Sequence, residues 1–279
     1  MPELSYCAGQ VRDFDNDRFL ATLFAGETLR EDLFALYAFN LELSKIRETV
    51  SEPMIGRMRL QFWRDALPGI AAGNPPAHAV ATPLAEIAAR GRLPESALRT
   101  LIDARETDLD DEPPRNLAAI EAYAEQTSSA LIAAAETILG HDPAAHAELI
   151  RAAGIASALV GLVRAIPFQA STGRVTLPAD LCVRAGLDPS MAHQWPQNPD
   201  VSAITGPLLQ SAEQHLALAR SKTGALPRSA IPAFLPFSLA ALYLGGLKKV
   251  GGDPALYLAR PPGVQRHLTV LWRAMRGRP

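Results

Sequence analysis

Apolar residues recur along this chain at intervals of three and four positions, and no segment shows the strict alternation typical of a half-buried strand. Alanine and leucine, which favour helices, are abundant throughout. The clearest helix is predicted over 29–46, with one face directed toward the core. That face carries Leu33, Leu36, Tyr37, Asn40, Leu41 and Ser44. The sequence therefore predicts an all-α protein.

Prolines and glycines mark the ends of the predicted helices. Pro53 and Pro94 are each expected near the start of a helix, because the first turn tolerates a residue without an N–H group. Another helix is predicted over 117–139, ending at Gly140, since glycine readily adopts the left-handed conformation that follows a helix.

A long helix rich in small residues is predicted after Pro143, through the run AGIASALVGLVRAIPF. Pro167 is expected to end or kink it. No repeat, low-complexity tract or flexible linker divides the chain. We therefore predict one orthogonal helical bundle over 1–279, with 1–16 loosely ordered and 246–279 forming a basic helical tail.

The composition is that of a globular protein with one large core, since 48% of the 279 residues are hydrophobic and 20% are charged. A net charge of −2 provides no cationic field, so nucleic acid is not expected as a partner. The charge is uneven, because 246–279 holds seven basic residues and one acidic residue. This basic C-terminus is interpreted as a solvated helix face, or alternatively as a contact for anionic lipid or an acidic partner.

Three features favour a cytoplasmic location. Cys7 and Cys182 fit neither a disulfide framework nor a zinc site. The N-terminus lacks the basic and apolar regions of a secretory signal. The uncharged run at 229–247 contains two prolines, which favours a buried bundle helix over a membrane span. Peripheral contact with the inner face of the cytoplasmic membrane is the alternative.

Common catalytic motifs are absent from the sequence, which has no HExxH, GxSxG, P-loop or GxGxxG in a strand-to-helix context. No two of its six histidines stand at i, i+4 spacing. The acid-rich run at 103–112 contains oxygen ligands suited to a divalent cation, but its place at a helix end and loop favours a solvated face.

Two segments resemble the signature helices of the squalene/phytoene synthase family. LREDLFALYAFNLELSKIRETV resembles the first signature, in which YAF is followed by an Arg and a D-x-x-x-D pair. LVRAIPFQASTGRVTLPADL matches the second, which reads approximately NILRD, a further Asp and RRGRVYLPxEL. With MRLQFWRDAL and IEAYAEQTSSAL between them, the likeness runs from Phe19 to Trp272. It implies the isoprenoid synthase fold, with a central cavity.

In that family, two Asp at i and i+4 share a helix face, and two such helices hold the Mg²⁺ ions that grip a prenyl diphosphate. By the resemblance, the first pair falls on Ser44 and Glu48, and the second pair falls on Ala165 and Gln169. Because one carboxylate of four remains, no catalytic residue and no metal cofactor are expected. Mg²⁺ is expected only if the chain is an enzyme.

The residues that remain at or near the signature positions are candidates for lining the cavity or binding an anion. They are Tyr37, Asn40, Lys45, Arg47, Glu48, Tyr123 and Arg164. Arg164 lies within an apolar helix and needs a partner, for which Glu48 or Glu125 is available. It is interpreted as one member of a buried ion pair, with anion or partner binding as the alternative.

Other family positions are interpreted as scaffold or as altered. Tyr37 and Trp63 are mainly scaffold, and Gly173 and Arg174 set the geometry of the turn before VTLP. A diphosphate-binding segment resembling Ser-Arg-Ser-Phe is replaced at 16–19 by Asn-Asp-Arg-Phe.

Three functions are compatible with this resemblance. The first is a non-catalytic member similar to the mitochondrial assembly factors of respiratory complex I, which likewise have Asn after YAF and lack the aspartate pairs. It would act through a protein partner, a complex I subunit or assembly intermediate. The second is a Mg²⁺-dependent prenyltransferase that condenses two prenyl diphosphates. The third is a carrier that holds an isoprenoid, quinone or lipid in the cavity without turnover.

Overall fold

The computed structural model describes residues 4–50, 52–172, 176–191, 201–258 and 263–279, and Gly173 and Arg174 lie outside these ranges. Within them the secondary structure is helical, without a strand. The α-helices are α1 (Tyr6–Phe14), α2 (Asn16–Thr22), α3 (Glu27–Ser44), α4 (Ile46–Thr49), α5 (Pro53–Ala71), α6 (Ala81–Ala89), α7 (Glu95–Ala104), α8 (Leu117–Ala124), α9 (Ala130–Ile138), α10 (Ala147–Ser171), α11 (Ala179–Arg184), α12 (Val201–Lys222), α13 (Ile231–Lys249), α14 (Pro254–Leu258) and α15 (Gly263–Arg276).

Within the segment expected to be loosely ordered, 1–16, the residues Tyr6–Phe14 form helix α1. Ser5 caps α1 by accepting a hydrogen bond from the Ala8 N–H at 3.1 Å. Cys7, Ala8 and Val11 are buried where α1 packs against α3. The cap satisfies a backbone donor and the apolar face joins the core, which explains the order.

The predicted proline boundaries are confirmed at two helix starts. Pro53 occupies the first turn of α5, and Pro94 immediately precedes α7. Pro143 opens a 3₁₀ turn that leads into α10. Pro167, in contrast, does not end α10, which continues to Ser171. The lost N–H costs one intrahelical hydrogen bond, and the neighbouring bonds and the packing of α10 maintain the helix.

The segment predicted as one helix over 117–139 is divided by a turn of π-helix at Glu125–Ser129. Gly140 ends it as predicted, with φ of 86°. The π turn places the backbone of Ser129 against Gly154 of α10. A Cβ on Gly154 would lie 2.5 Å from both the Cα and the N of Ser129, so only glycine allows this approach.

The long helices α10 and α13 run through the centre of the bundle. By length and composition, 143–171 and 228–249 could each cross a membrane, but 61% and 72% of their most apolar windows are buried within the protein. Such burial is typical of core helices. Phe234 and Phe237 of α13 are among the largest fully buried side chains. The prediction of a buried bundle helix at 229–247 is therefore supported.

Glu136 of α9 is a fully buried carboxylate. One of its oxygens, Oε2, lies 2.8 Å from Nδ1 of His146, whereas Oε1 has no hydrogen-bond partner among the described residues. Burial raises the pKa of Glu136 above its ordinary value, and the contact with His146 opposes that shift only in part.

This buried carboxylate predicts a pH-dependent effect of Glu136→Gln. Because its pKa is higher in the folded protein than in the unfolded chain, the folded state binds the proton more tightly. Glu136 therefore favours folding at low pH, and this contribution is lost as the pH rises through the folded pKa. In urea unfolding, the free energy of unfolding of the wild type should rise relative to that of Glu136→Gln as the pH falls from about 7 to about 4.5. A difference that shrinks on acidification would contradict this.

Candidate functional site

The positions that the resemblance assigns to the first signature pair, Ser44 and Glu48, lie on two helical segments. Ser44 is the last residue of α3, and its hydroxyl donates to the Leu41 carbonyl at 3.1 Å. Lys45 separates it from Glu48, which is exposed on the single turn of α4. The side chains at i and i+4 therefore do not project from one continuous helix, as paired metal ligands on a helix face require.

The positions that the resemblance assigns to the second pair, Ala165 and Gln169, lie on the continuous helix α10 and are both half-buried. The Gln169 Oε1 accepts a hydrogen bond from the Thr176 N–H at 3.2 Å. This contact holds the chain that follows α10. Gln169 therefore has a structural partner, and Ala165 offers no ligand atom.

The donors at these four positions do not fit a Mg²⁺ cluster. They comprise one carboxylate, one hydroxyl already bonded to the backbone and one amide oxygen already bonded to Thr176. Mg²⁺ requires several hard oxygen ligands in near-octahedral geometry, usually including carboxylates. Elsewhere in the described ranges, no group of three or more His, Cys, Asp or Glu is placed to bind a metal ion.

The central cavity predicted for the fold is present but small. It has a volume of about 20 Å³, close to the space that one water molecule needs. Its walls come from α2, α3, the π turn, α9, α10 and α13. The lining residues are Arg18, Tyr37, Ser128, Leu131, Ile132, Ser157, Ala233, Pro236 and Phe237.

Of the residues predicted to line the cavity, Tyr37 does so and Asn40 does not. Tyr37 is buried, and desolvation raises its pKa to about 12, although the charge of Arg18 opposes that shift. The Arg18 guanidinium lies 5.7 Å from the Tyr37 ring centroid and pairs with Asp15. The phenol is therefore neutral at pH 7 and packs in the wall of the cavity.

Lys45 and Arg47 have contacts at the outer edge of this region. The Lys45 Nζ lies 2.8 Å from the centroid of the Phe14 ring, and burial lowers the pKa of this ammonium. Arg47 donates to Asp111 at 3.2 Å. Both cations are thus engaged by protein groups rather than directed into the cavity.

The acid-rich run at 103–112 pairs mainly with arginines of α5. Arg64 donates to Asp103 at 2.9 Å and to Glu106 at 2.6 Å, and Arg57 contacts Glu106 and Asp110. Most of these carboxylates are exposed, so each pair contributes little to stability. The structure thus places these carboxylates mainly at the surface, in pairs with arginines.

Tyr123 is not among the residues that line the central cavity and belongs to a half-buried polar triad. Its hydroxyl accepts a hydrogen bond from Arg105 at 2.8 Å and donates to Asp108 at 2.7 Å. Burial raises the pKa of Tyr123, so the group stays protonated. These contacts fix the end of α7 against α8, and the Arg105 Nε has no hydrogen-bond partner among the described residues.

Arg164 has neither of its expected partners. Glu125 pairs with Arg151 at 2.9 Å, and no described contact joins Arg164 to Glu48. Instead, the Arg164 guanidinium lies 3.7 Å from the centroid of the Tyr243 ring, which makes this a cation–π contact. The expectation of a buried carboxylate pair is therefore wrong, because an aromatic ring from α13 occupies the position facing the guanidinium.

A polar cluster that sequence reasoning missed continues from this contact. The Tyr243 hydroxyl donates to Asp17 at 2.6 Å, and Arg266 of α15 donates to Asp17 at 3.3 Å and to Asn16 at 2.9 Å. The altered segment at 16–19 thus binds α13 and α15. The sequence signal for this cluster was Tyr243, a tyrosine inside the uncharged run at 229–247, because a buried phenol needs a polar partner.

Comparison with known proteins identifies the family. A model of squalene/phytoene synthase matches residues 11–272, almost the whole chain. The chain belongs to the squalene/phytoene synthase family. Complex I assembly factor 6 from Bos taurus is 36% identical to it over 270 residues, which cover 95% of this chain and 78% of that protein.

Solved structures agree with the predicted fold of this squalene/phytoene synthase family member. A dehydrosqualene synthase bound to a ligand superposes with a TM-score of 0.79 and 16% identity, covering 97% of this chain and 94% of that one. A squalene synthase from Alicyclobacillus acidocaldarius gives 0.77 and 17%, covering 89% and 94%. The prediction of an all-α isoprenoid synthase fold is confirmed.

Proposed function

We propose that this protein is a non-catalytic family member that helps to assemble respiratory complex I. The observation that carries the proposal is the site itself, where the positions assigned to the signatures supply one exposed carboxylate and the cavity has a volume of about 20 Å³. The similarity to complex I assembly factor 6 supports the same role. The inner face of the cytoplasmic membrane is the proposed location, because complex I is a membrane enzyme.

The size of the cavity disfavours the two other functions. Pockets for small organic ligands usually have volumes of about 300–1,000 Å³. A cavity of about 20 Å³ would have to enlarge before it could hold two prenyl diphosphates, or an isoprenoid or quinone. Catalysis would further require metal ligands that these residues do not provide.

A prenyl-transfer assay tests the absence of catalysis. Incubation with Mg²⁺ and farnesyl or geranylgeranyl diphosphate should release no more pyrophosphate than heat-inactivated protein does. A variant with Ser44→Asp, Ala165→Asp and Gln169→Asp should be equally inactive, because it still lacks space for substrate. Turnover by the unaltered protein would overturn the non-catalytic assignment.

Complementation tests the assembly role separately. A strain that lacks this protein should lose assembled NADH:quinone oxidoreductase, measured by NADH oxidation in its membranes, and the wild-type chain should restore it. Glu48→Gln removes the remaining signature carboxylate from an exposed position and should restore activity equally well. If the Glu48→Gln protein is expressed but does not complement, the function requires this carboxylate. That result would contradict a role that does not involve metal binding.

Physical association is the second measurement of the assembly role. Purified protein should retain peripheral-arm subunits of complex I, or an intermediate that contains them, from a lysate of the same organism. Retention of unrelated proteins alone, together with failed complementation, would reject the assembly function.

A further inference from the structure

Helix α15 exposes its apolar side chains instead of burying them. Its inward face carries Arg266, Val270 and Ala274, and of the α15 residues only Val270 is fully buried. Its outward apolar residues recur at intervals of three and four and therefore form one continuous stripe. This α15 stripe consists of Val264 (72% exposed), Leu268 (59%), Leu271 (46%), Trp272 (47%) and Met275 (72%). A helix that turns this face to solvent has an apolar surface without a partner in the described structure.

A groove runs beside the α15 stripe, between α15 and α13. It is open to solvent and has a volume of about 720 Å³. Ala241 and Leu242 of α13 contribute apolar side chains to it, and Leu268 and Trp272 contribute from α15. Ser238 also lines the groove, and although this residue is 97% buried its hydroxyl has no hydrogen-bond partner among the described residues.

Arginines surround the groove. Arg220 of α12 and Arg273 of α15 line it, and the guanidinium groups of Arg273 and Arg276 lie 5.0 Å and 4.3 Å from the Trp272 ring centroid. None of these three arginines forms an ion pair with a carboxylate side chain in the described ranges. Arg273 donates to the Pro279 carbonyl oxygen at 3.5 Å. Burial and then repulsion from Arg220 and Arg276 lower the pKa of Arg273, as expected for neighbouring cations.

We propose that the α15 stripe and its groove dock on a bilayer that contains anionic phospholipid. Lipid phosphates would bind Arg220, Arg273 and Arg276, while acyl chains would cover the stripe and the apolar wall of the groove. An apolar stripe flanked by arginines, with a tryptophan between them, is the composition of helices that lie in the membrane interface. This docking concerns a surface away from the central cavity and does not depend on the assembly role.

Two features favour a bilayer over a protein partner. The stripe is a continuous apolar face along the whole of α15, as a planar hydrocarbon boundary requires. The cations are clustered at the edge of that face, where lipid phosphates would lie. They all carry positive charge, whereas a specific protein interface usually pairs charges of both signs.

Vesicle co-sedimentation of the full chain tests this proposal. The probes are vesicles of phosphatidylcholine alone and vesicles in which about one third of the lipid is phosphatidylglycerol. Binding should be substantial only with the anionic vesicles and should weaken as salt is added. Leu268→Gln with Met275→Gln, and separately Arg220→Gln with Arg276→Gln, should each reduce binding about tenfold or more.

Matched controls remove the same chemistry elsewhere on the surface. Met54→Gln with Met58→Gln alters two exposed apolar residues of α5, and Arg99→Gln with Arg184→Gln removes two exposed cations. Both double variants should bind anionic vesicles as the wild type does. All four double variants alter exposed side chains, and unchanged melting temperatures would show that each is folded.

Three results would overturn the proposal. They are no binding to anionic vesicles, equal loss in the control variants, and unchanged binding by both variants of the α15 surface. Capture of an acidic protein that depends on these residues, without vesicle binding, would assign the surface to a protein partner and also reject bilayer docking. Because the assay contains no complex I subunit, its failure is distinguishable from failure of the assembly role.

Discussion

Gly154→Ala is expected to destabilise the protein by about 1–3 kcal/mol, because the added methyl group would overlap the backbone of Ser129. The overlap involves backbone atoms 2.5 Å away, which cannot be relieved by rotating a side chain. Either α10 must move away from the π turn, or the π turn must be rebuilt. A loss of this size corresponds to a fall in melting temperature of about 2–12 °C.

The matched control is Gly161→Ala on the same helix. No atom lies within 4 Å of the position of its added Cβ, so alanine should be neutral or stabilise α10 by up to about 1 kcal/mol. Thermal and urea unfolding of both variants measure the contrast. Equal effects at the two positions would show that the approach of Ser129 to α10 does not require glycine.

Phe237→Ala is expected to have the largest effect on stability, about 3–5 kcal/mol. Phe237 is fully buried on α13 and forms part of the wall of the central cavity. Removing its ring takes away apolar contacts and leaves an enlarged void that the surrounding helices fill only in part.

Phe168→Ala is the control for this substitution, because Phe168 is an exposed phenylalanine on α10. Its loss should change the free energy of unfolding by less than about 0.5 kcal/mol. A Phe237→Ala protein as stable as Phe168→Ala would indicate that the bundle closes around the missing ring, and that the small cavity does not depend on this side chain.

The fold could be predicted from local signals. Proline placement defined the starts of α5 and α7, and Gly140 marked the end of α9, since these residues act through their own backbone geometry. The extent of α3 followed from its buried face, with an error of two residues at each end.

Features that depend on distant residues could not be predicted in this way. The π turn at Glu125–Ser129 accompanies the close approach of α10, and nothing in its own sequence indicates it. Arg164 needed a partner, as its apolar surroundings indicated, but the partner is a ring that helix packing brings from α13. The size of the cavity is likewise a property of five helices and a turn together.

The contact between Asp17 and Arg266 also has a consequence for biosynthesis. It joins residues 249 positions apart, and Tyr243 reaches the same carboxylate from 226 positions away. During translation Asp17 of α2 is made long before Tyr243 and Arg266, so neither contact can form until those residues have left the ribosome. A nascent chain that stalls before α15 would therefore leave Asp17 without Arg266.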